Sequence, residues 1–379
     1  MGATALAKRL DAIWETPHTL IGSLTTVDHK AIGKRYLVTA FIFLCLGGIE
    51  AALMRAQLTR PNEHLLSAEA YNQLFTMHGT TMMFLYAAPI LSGFSNYFVP
   101  LLIGSRDMAF PRLNAFSYWI FLFAGIFLYS SFLVGAAPNG GWFNYVPLTA
   151  RPFDPGINID FYCIALIFLS VSTTVGAVNF IVTILRMRAP GMTLGRMPMY
   201  LWSTLSTSVV ILFSLPALTA ACLMLELDRR TGTHFFDPSG GGSSLLWQHL
   251  FWSFGHPWVY VVVLPAFGIV SMALPVFVRR RLAGFDYVAM STVAIAIIGF
   301  GVWAHHMFAT GLPTVGMGFF SAASMIIVLP SGVSVTAWLL TVWTGRPVYT
   351  TSYLFMLGFI VIFVIGGLSG VITGIVPVD

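Results

Sequence analysis

Three histidines and a tyrosine in two apolar segments have the types and spacing of a metal site. In FWSFGHPWVY, His256 and Tyr260 are four residues apart, which places both on one helix face, about 6 Å apart along the axis. His305 and His306 are adjacent in GVWAHHMF, so their side chains point about 100° apart and can both reach a point that lies between them. Three neutral imidazoles that meet form a site for copper or zinc, or for non-haem iron with an added carboxylate.

These residues also have an ordinary structural interpretation. A single histidine in an apolar segment is more often a hydrogen-bonded interior group than a ligand, and spacing alone leaves both interpretations open. Pro257 has no N–H and loosens the helix beside His256, which gives that ring freedom to be aimed. His249 lies seven residues before His256 on the same face, where we expect a hydrogen-bonding role.

A further histidine, His78, stands alone in YNQLFTMHGTTMMF. The small residues after it, Gly79, Thr80 and Thr81, leave space beside the imidazole, as a flat cofactor requires. Tight helix packing explains the same residues equally well.

The elements that must position these side chains are membrane helices. Hydrophobic residues make up 57% of the 379 positions, charged residues 9%, and the mean hydropathy is +0.82, which excludes a water-soluble globular domain. Spans must be helical because every backbone polar group has to be paired inside hydrocarbon, and each needs roughly 20 apolar residues. The sequence predicts an all-α bundle of nine spans, numbered 1 to 9: Lys34–Gln57, Tyr71–Ile103, Asn114–Ala136, Asp160–Leu185, Tyr200–Leu225, Leu245–Val278, Tyr287–Ala309, Gly318–Trp343 and Ser352–Val376.

The basic residues are concentrated on one side of the predicted membrane. With a cytoplasmic N-terminus, fourteen of the 19 Lys and Arg residues fall on the cytoplasmic side, as the positive-inside rule requires. The net charge of +5 is therefore topological and does not indicate a nucleic-acid partner. We expect one membrane domain over residues 1–379, with no cleavable signal peptide and with Cys45, Cys163 and Cys222 as packing residues.

Several longer motifs resemble a known family. From about Thr25 to the last residue the sequence is similar to subunit I of the haem-copper oxygen reductases, most of all to the A-type cytochrome c oxidases. The motifs that carry this resemblance are FWSFGHPWVY, VWAHHMF, SNYFVPLLIGSRDMAFPRLNAFSYW, NGGW, VDHKAIGKRY and LMRAQL.

The resemblance implies a role for each candidate site residue. His256, His305 and His306 would hold the copper called CuB, and Tyr260 would be the tyrosine joined covalently to the His256 ring. His78 would be one axial ligand of a low-spin haem, one of two haems that the resemblance implies, with the a-type expected. The remaining cofactor-binding positions would be Arg55, Trp142, Trp252 and Asp379.

The implied activity is reduction of dioxygen to water with electrons from cytochrome c, coupled to proton translocation. The implied partners are a subunit II with a CuA centre and a subunit III, in a bacterial inner membrane. Two alternatives stay open within the family: a quinol donor, and an incomplete subunit without full activity. A transporter that uses histidines for proton coupling is a third, but the inverted repeats typical of transporters are not evident.

The resemblance also implies a proton path that starts at Asp107 in DMAFPR. The polar positions along it are Asn96, Asn114, Ser117, Ser172, Thr173 and Asn179. Without the resemblance, Asp107 would be interpreted as a solvated loop acid that offsets Arg106 and Arg112.

The chain departs from the family pattern at several places. Trp258 replaces the glutamate of HPEVY, and an indole can donate a hydrogen bond but cannot relay a proton. Ser334 replaces the lysine of PTGVK in the second proton channel, where Ser271 and Ser331 remain as polar positions. Glu50 lies about one turn from Arg55, and an ion pair is its simplest interpretation.

The family has twelve helices, and a later one carries the haem ligands of an HFHY motif. No histidine follows His306 here, and the sequence ends before that motif would begin. We therefore expect a fragment that lacks the last three helices, or helices supplied by a separate polypeptide, or a chain that cannot hold both haems.

Overall fold

The computed structural model describes residues 4–6 and 19–378, and within these it contains helices and no strands. A short helix, Leu20–Thr25, precedes nine helices that are long and apolar enough to cross a membrane. The all-α, multi-pass prediction is confirmed. Spans 1 to 9 are His29–Gln57, Ala68–Ile103, Pro111–Leu133, Asn158–Arg186, Met199–Thr231, Ser244–Phe277, Phe285–Thr310, Thr314–Trp343 and Thr351–Thr373.

The ends of the spans follow local chemistry that the hydropathy pattern does not contain. Span 1 begins earlier than predicted because the Asp28 carboxylate accepts the backbone N–H groups of Lys30 and Ala31, each at 2.9 Å. Span 2 ends at Gly104 (φ 71°) and span 5 at Gly232 (φ 74°), where the left-handed conformation favours glycine.

Spans 3 to 6 pack against one another in sequence order, and span 1 packs against both span 2 and span 3. Span 6 supplies much of the interior, since Trp247, Phe251, Phe254 and Trp258 are all buried. Span 9 is different: only 6% of its most apolar window is buried, against 28% to 50% for the other spans. Its apolar side chains therefore lie largely on the outside of the described bundle.

Two spans depart from α-helical geometry close to candidate ligands. Span 2 changes to a π-helix at Thr81–Ala87, three residues after His78. Span 7 is α-helical over Phe285–Ile298, and 3₁₀ turns then cover Gly299–Gly301 and Trp303–Thr310, which contains both adjacent histidines. Span 7 has the predicted extent. Its second half is not a regular α-helix, so the 100° separation expected for the side chains of His305 and His306 does not apply there.

A buried ion cluster fixes the outer end of span 4 to span 5. Arg229 is 2% exposed, and its Nε donates to Asp160 Oδ1 at 2.8 Å. Its other nitrogens donate to three carbonyls of the preceding loop, those of Thr149 and Asp154 at 2.8 Å and that of Gly156 at 2.5 Å. The guanidinium thus joins two spans and the loop between spans 3 and 4.

Candidate metal centre and polar paths

Span 6 and the 3₁₀ turn of span 7 bring three imidazoles together. His256, His305 and His306 each offer a ring nitrogen, and these atoms lie within 4.8 Å of one another. The ring centroids are 4.4 Å apart for His256 and His305, 4.4 Å for His305 and His306, and 5.3 Å for His256 and His306. The adjacent histidines therefore do face one common point.

The geometry fits a metal ion held by nitrogen ligands. His256 Nδ1 lies 3.2 Å from His306 Nε2. Two nitrogens bound tetrahedrally at about 2.0 Å are about 3.3 Å apart, so this pair has the separation that two ligands of one ion require. A hydrogen bond between neutral rings is the alternative interpretation of this distance, and in either case His256 Nε2 is buried without a partner among the described residues.

The donor set favours copper or zinc over non-haem iron. Among the described residues no carboxylate or thiolate joins the three imidazoles. A non-haem iron site requires an added carboxylate, whereas imidazoles alone suit copper and zinc. The residues present therefore fit the copper ion that the resemblance implies.

Neighbouring side chains orient two of the three imidazole rings. Ser324 Oγ donates to the carbonyl of Phe320 at 2.6 Å, so at 2.7 Å it accepts from Nδ1 of His305. The His305 proton is thereby placed on Nδ1, and Nε2 keeps its lone pair for a metal. The His306 ring is stacked on Trp252 at 4.0 Å and 10°, and Trp252 Nε1 donates to the Tyr145 hydroxyl at 2.5 Å.

Tyr260 lies beside the His256 ring because span 7 has a glycine opposite it. The two ring centroids are 4.8 Å apart, with the planes at 66°. A Cβ at Gly299 would come within 2.6 Å of the Tyr260 ring, so only glycine permits this approach. The sequence indicated the phenol but not the glycine that positions it.

The three histidines and Tyr260 form part of the wall of a cavity of about 690 Å³. Spans 8 and 9 supply most of the opposite wall, which includes Gly367 and Gly370. A Cβ added at either glycine would meet no atom within 4 Å, so this wall leaves space for a broad, flat group.

His78 is oriented by the backbone of span 1. Its Nδ1 lies 2.8 Å from the carbonyl oxygen of Gly47, so Nδ1 carries the proton and Nε2 is left to bind a metal. The adjacent Gly79 packs closely against Trp142. A Cβ there would lie 3.1 Å from Cβ of Trp142, so close packing of Trp142 already requires a small residue.

The other predicted cofactor-binding residues occupy varied environments. Arg55 is exposed near the end of span 1. Trp142 and Trp252 form an edge-to-face pair with ring centroids 5.9 Å apart, which links the wall near His78 to the stacked His306. Asp379 lies outside the described residues.

Four of the predicted proton-path residues line one small cavity of about 30 Å³: Asn96, Ser117, Ser172 and Thr173. Tyr36 joins them, its hydroxyl 3.0 Å from Ser117 Oγ. Asn114 is 1% exposed, and its Nδ2 has no hydrogen-bond partner in the described part of the chain. The side chain of Asn179 is hydrogen-bonded to the backbone of Phe110. Its Oδ1 accepts the Phe110 N–H at 3.0 Å, and its Nδ2 donates to the Phe110 carbonyl at 3.1 Å.

Asp107 is a buried residue, so its interpretation as a solvated loop acid is wrong. It is 5% exposed, and its Oδ1 accepts the backbone N–H of Met108 at 2.7 Å. Burial raises the pKa of the carboxyl above its ordinary range. A carboxyl with a raised pKa outside the spans is a suitable group for taking up protons.

The inner end of this cavity meets aromatic side chains. Phe84 lines the cavity, and Trp258 packs against it with ring centroids 5.6 Å apart. Phe254 stacks on Phe84 at 5.8 Å. Trp258 is 1% exposed and its Nε1 has no hydrogen-bond partner among the described residues. The position that carries glutamate in the family pattern is thus occupied here by a buried indole that packs against Phe84 and Phe254.

The three serines of the predicted second channel do not form one cluster. Ser334 Oγ lies 2.7 Å from Ser291 Oγ, whereas Ser271 Oγ accepts from Trp338 Nε1 at 2.9 Å. Ser331 lines the cavity that contains Tyr260.

Glu50 does not form the ion pair expected with Arg55. Glu50 is 5% exposed. Among the described residues no cation lies within salt-bridge distance of it, and neither of its carboxyl oxygens makes a hydrogen bond of ordinary geometry. Its polar neighbour is the Tyr129 hydroxyl, which is paired with Thr81 Oγ1 at 2.9 Å. His249 has the hydrogen-bonding role predicted for it, since it accepts from Trp303 Nε1 at 3.4 Å.

Comparison with known proteins now places the chain in a family. The model of the family described as Cytochrome C and Quinol oxidase polypeptide I matches residues 31–379. The chain belongs to this family. The resemblance to subunit I of the haem-copper oxidases is thereby confirmed.

Curated relatives of this family chain share about half of its residues. A putative cytochrome c oxidase subunit 1-beta of Streptomyces coelicolor is 50% identical over 99% of the chain and 66% of its own length. Cytochrome c oxidase subunit 1 of Bacillus subtilis is 47% identical over 94% and 57%. Quinol oxidase subunit 1 of Bacillus spizizenii is 45% identical over 94% and 55%. The chain thus spans between half and two thirds of the length of these relatives.

The fold is also that of a solved structure described as a heme-copper terminal oxidase dimer. The two agree with a TM-score of 0.74 at 19% sequence identity, covering 92% of this chain and 62% of the other. At that identity the agreement concerns the fold.

Proposed function

We propose that this chain is the catalytic subunit of a terminal oxidase that reduces dioxygen to water. The observation that carries the proposal is the convergence of His256, His305 and His306 on one point, with Tyr260 beside them, in a chain of the haem-copper oxidase family. Residues 1–379 act as one membrane domain in a multi-subunit complex.

Each residue of the site has a defined task in this proposal. His256, His305 and His306 would hold copper, and His78 Nε2 would hold the iron of a low-spin haem. Bound copper and two haems, a-type by the family resemblance, would supply the electron transfer to dioxygen. The Tyr260 hydroxyl lies in the wall of the same cavity and can hold the proton that the reaction consumes. Arg55, Trp142, Trp252 and Asp379 would contact the haems.

Protons would enter at Asp107 and pass the hydroxyl and amide groups of the small cavity toward the site. Asp107 and the N-terminus then face the cytoplasm, in a bacterial inner membrane. Support comes from the burial of Asp107 and from the hydroxyl pair of Tyr36 and Ser117. Ser331 would act on a second route, with Ser334 and Ser271 more distant from the cavity.

The electron donor in this proposal is cytochrome c, received through a subunit II with a CuA centre, with a subunit III completing the complex. Relatives named cytochrome c oxidase at 47% to 50% identity support this choice. A quinol donor is the second candidate, because a relative named quinol oxidase is 45% identical.

Oxygen consumption by the purified complex tests the proposal and separates the donors. With reduced cytochrome c as donor we expect dioxygen uptake that is lost in a His306→Asn variant and retained in His64→Asn, which alters an exposed loop histidine. Uptake with a quinol alone would assign the second candidate. No uptake with either donor, in a complex that contains copper and haem, would contradict the oxidase proposal.

A further inference from the structure

A groove of about 830 Å³ lies where span 1 begins, between that span, the short helix Leu20–Thr25 and Tyr118 of span 3. Two adjacent cations, Lys34 and Arg35, line it together with hydroxyl groups from Thr19 and Ser23. None of the metal or proton-path residues lies in it. The groove is therefore separate from the oxidase site.

Arg35 is held in the groove with part of its hydrogen-bonding capacity unused. Its guanidinium lies over the rings of Tyr118 and Trp119, 5.9 Å from each centroid. Nη2 donates to Ser23 Oγ at 3.4 Å, and Nη1 is buried without a hydrogen-bond partner among the described residues. The guanidinium is held beside the groove by these contacts, and the planar fork of arginine matches the oxygens of a phosphate.

Within residues 19–378, no carboxylate neutralises the two cations of this groove. In the part of the chain that the structure describes, no carboxylate lies within salt-bridge distance of Lys34 or Arg35. The nearby Asp28 carboxylate is already occupied by Lys30 Nζ at 2.7 Å and by two backbone N–H groups. An anion from outside the chain would therefore meet two cations that no described carboxylate neutralises.

The position of the groove in the membrane points to a lipid as the source of that anion. Span 1 has 29 residues and is about 43 Å long, which exceeds a hydrocarbon core of about 30 Å, so its first turns lie at the level of the headgroups. Leu20, Ile21 and Val38 beside the cations are 77%, 74% and 61% exposed, as contact with acyl chains requires. The charge bias makes this the cytoplasmic side, where anionic lipids attract basic residues.

We propose that this groove binds the phosphate group of an anionic phospholipid between Lys34 and Arg35, with the acyl chains lying along Leu20, Ile21 and Val38. The phosphate neutralises both cations, while the aromatic rings hold the guanidinium in place. The site stands independently of the oxidase proposal, because it uses neither the metal ligands nor the proton path.

Lipid binding to the complete complex tests this site. The complex is delipidated and supplied with phosphatidylcholine containing phosphatidylglycerol, and bound phosphatidylglycerol is measured by native mass spectrometry. Each cation near an anionic lipid contributes about a fivefold gain in affinity, so Lys34→Gln should weaken binding about fivefold and the Lys34→Gln/Arg35→Gln double variant about 25-fold. Arg280→Gln removes an exposed charge on the same side outside the groove and should change binding less than about twofold.

Three results would overturn the proposal. One is a wild-type complex that retains no phosphatidylglycerol above phosphatidylcholine, and another is an equal loss of binding in Arg280→Gln. The third is displacement of the lipid by millimolar inorganic phosphate, which would make the ligand a soluble anion. If the double variant fails to assemble, Lys34→Gln still decides the question, because Lys34 is exposed and makes no hydrogen bond within the described residues.

Discussion

At the scale of single residues, Ser324 orients one of the proposed metal ligands, although its own hydroxyl would not bind the metal. Ser324 fixes the proton of His305 on Nδ1, and loss of such an orienting group commonly lowers metal affinity by about 10- to 100-fold. We therefore expect Ser324→Ala to lose copper at lower chelator concentrations than the wild type, measured as copper per complex. Ser369→Ala removes an exposed hydroxyl bonded only to its own helix and should leave copper binding unchanged. Equal copper retention in both variants would show that Ser324 does not orient the ligand.

Two glycines near the site provide a matched test of how Tyr260 is positioned. A methyl group at Gly299 would press on the Tyr260 ring, whereas one at Gly301 would meet no atom within 4 Å. Because misplacing a reacting group by about 1 Å costs about 100-fold in rate, Gly299→Ala should lower oxygen turnover by roughly 10- to 100-fold while copper content is preserved. Gly301→Ala should stay within about twofold. Equal turnover in the two variants would contradict this role for Gly299.

At the scale of helices, a buried guanidinium joins two spans and a loop. Arg229→Gln would leave the Asp160 carboxylate buried beside fewer donors, and breaking a buried pair costs about 3–5 kcal/mol. We expect a clear decrease in the midpoint of thermal denaturation of the complex. Arg230→Gln removes a half-exposed partner of the same carboxylate and should cost about 1 kcal/mol or less. A larger effect for Arg230→Gln would reverse this assignment.

The sequence predicts the spans well because a continuous run of about twenty apolar residues is characteristic of a membrane helix. It also predicts that His256, His305, His306 and Tyr260 are candidates, since polar groups are costly at membrane depth. The role of Ser324 could not be predicted, because it depends on how span 8 packs against the 3₁₀ turn, nineteen residues from His305 along the chain. The buried ion pair of Arg229 could not be predicted either, because an arginine at the end of a span is ordinarily a solvated charge.

At the scale of the whole molecule, the buried carboxyl of Asp107 makes the stability of the protein depend on pH. Burial raises its pKa, so ionisation of this carboxyl costs folding free energy that is absent below the unfolded-state pKa of about 3.9 and appears as pH rises through the folded-state pKa. Asp107→Asn removes that cost. Its thermal midpoint relative to the wild type should therefore increase with pH, while the rate of proton uptake from the cytoplasmic side falls.

An exposed aspartate with the opposite shift provides the control for this pH dependence. Hydrogen bonds from Ser239 lower the pKa of Asp237, so its stabilising contribution is present above its ordinary pKa and is lost as the solution becomes acidic. Asp237→Asn should lower the thermal midpoint at neutral pH and leave proton uptake unchanged. A parallel pH dependence in the two variants would contradict the burial argument for Asp107.

In the proposed site, three imidazoles from spans 6 and 7 hold one copper ion. The measurement that tests it most directly is the copper content and copper X-ray absorption of the complex with and without His305→Asn and His306→Asn. The wild type should contain a copper ion with imidazole nitrogens at about 2.0 Å, and either variant should lose one copper per complex. A copper content and an absorption spectrum unchanged by both substitutions would contradict it.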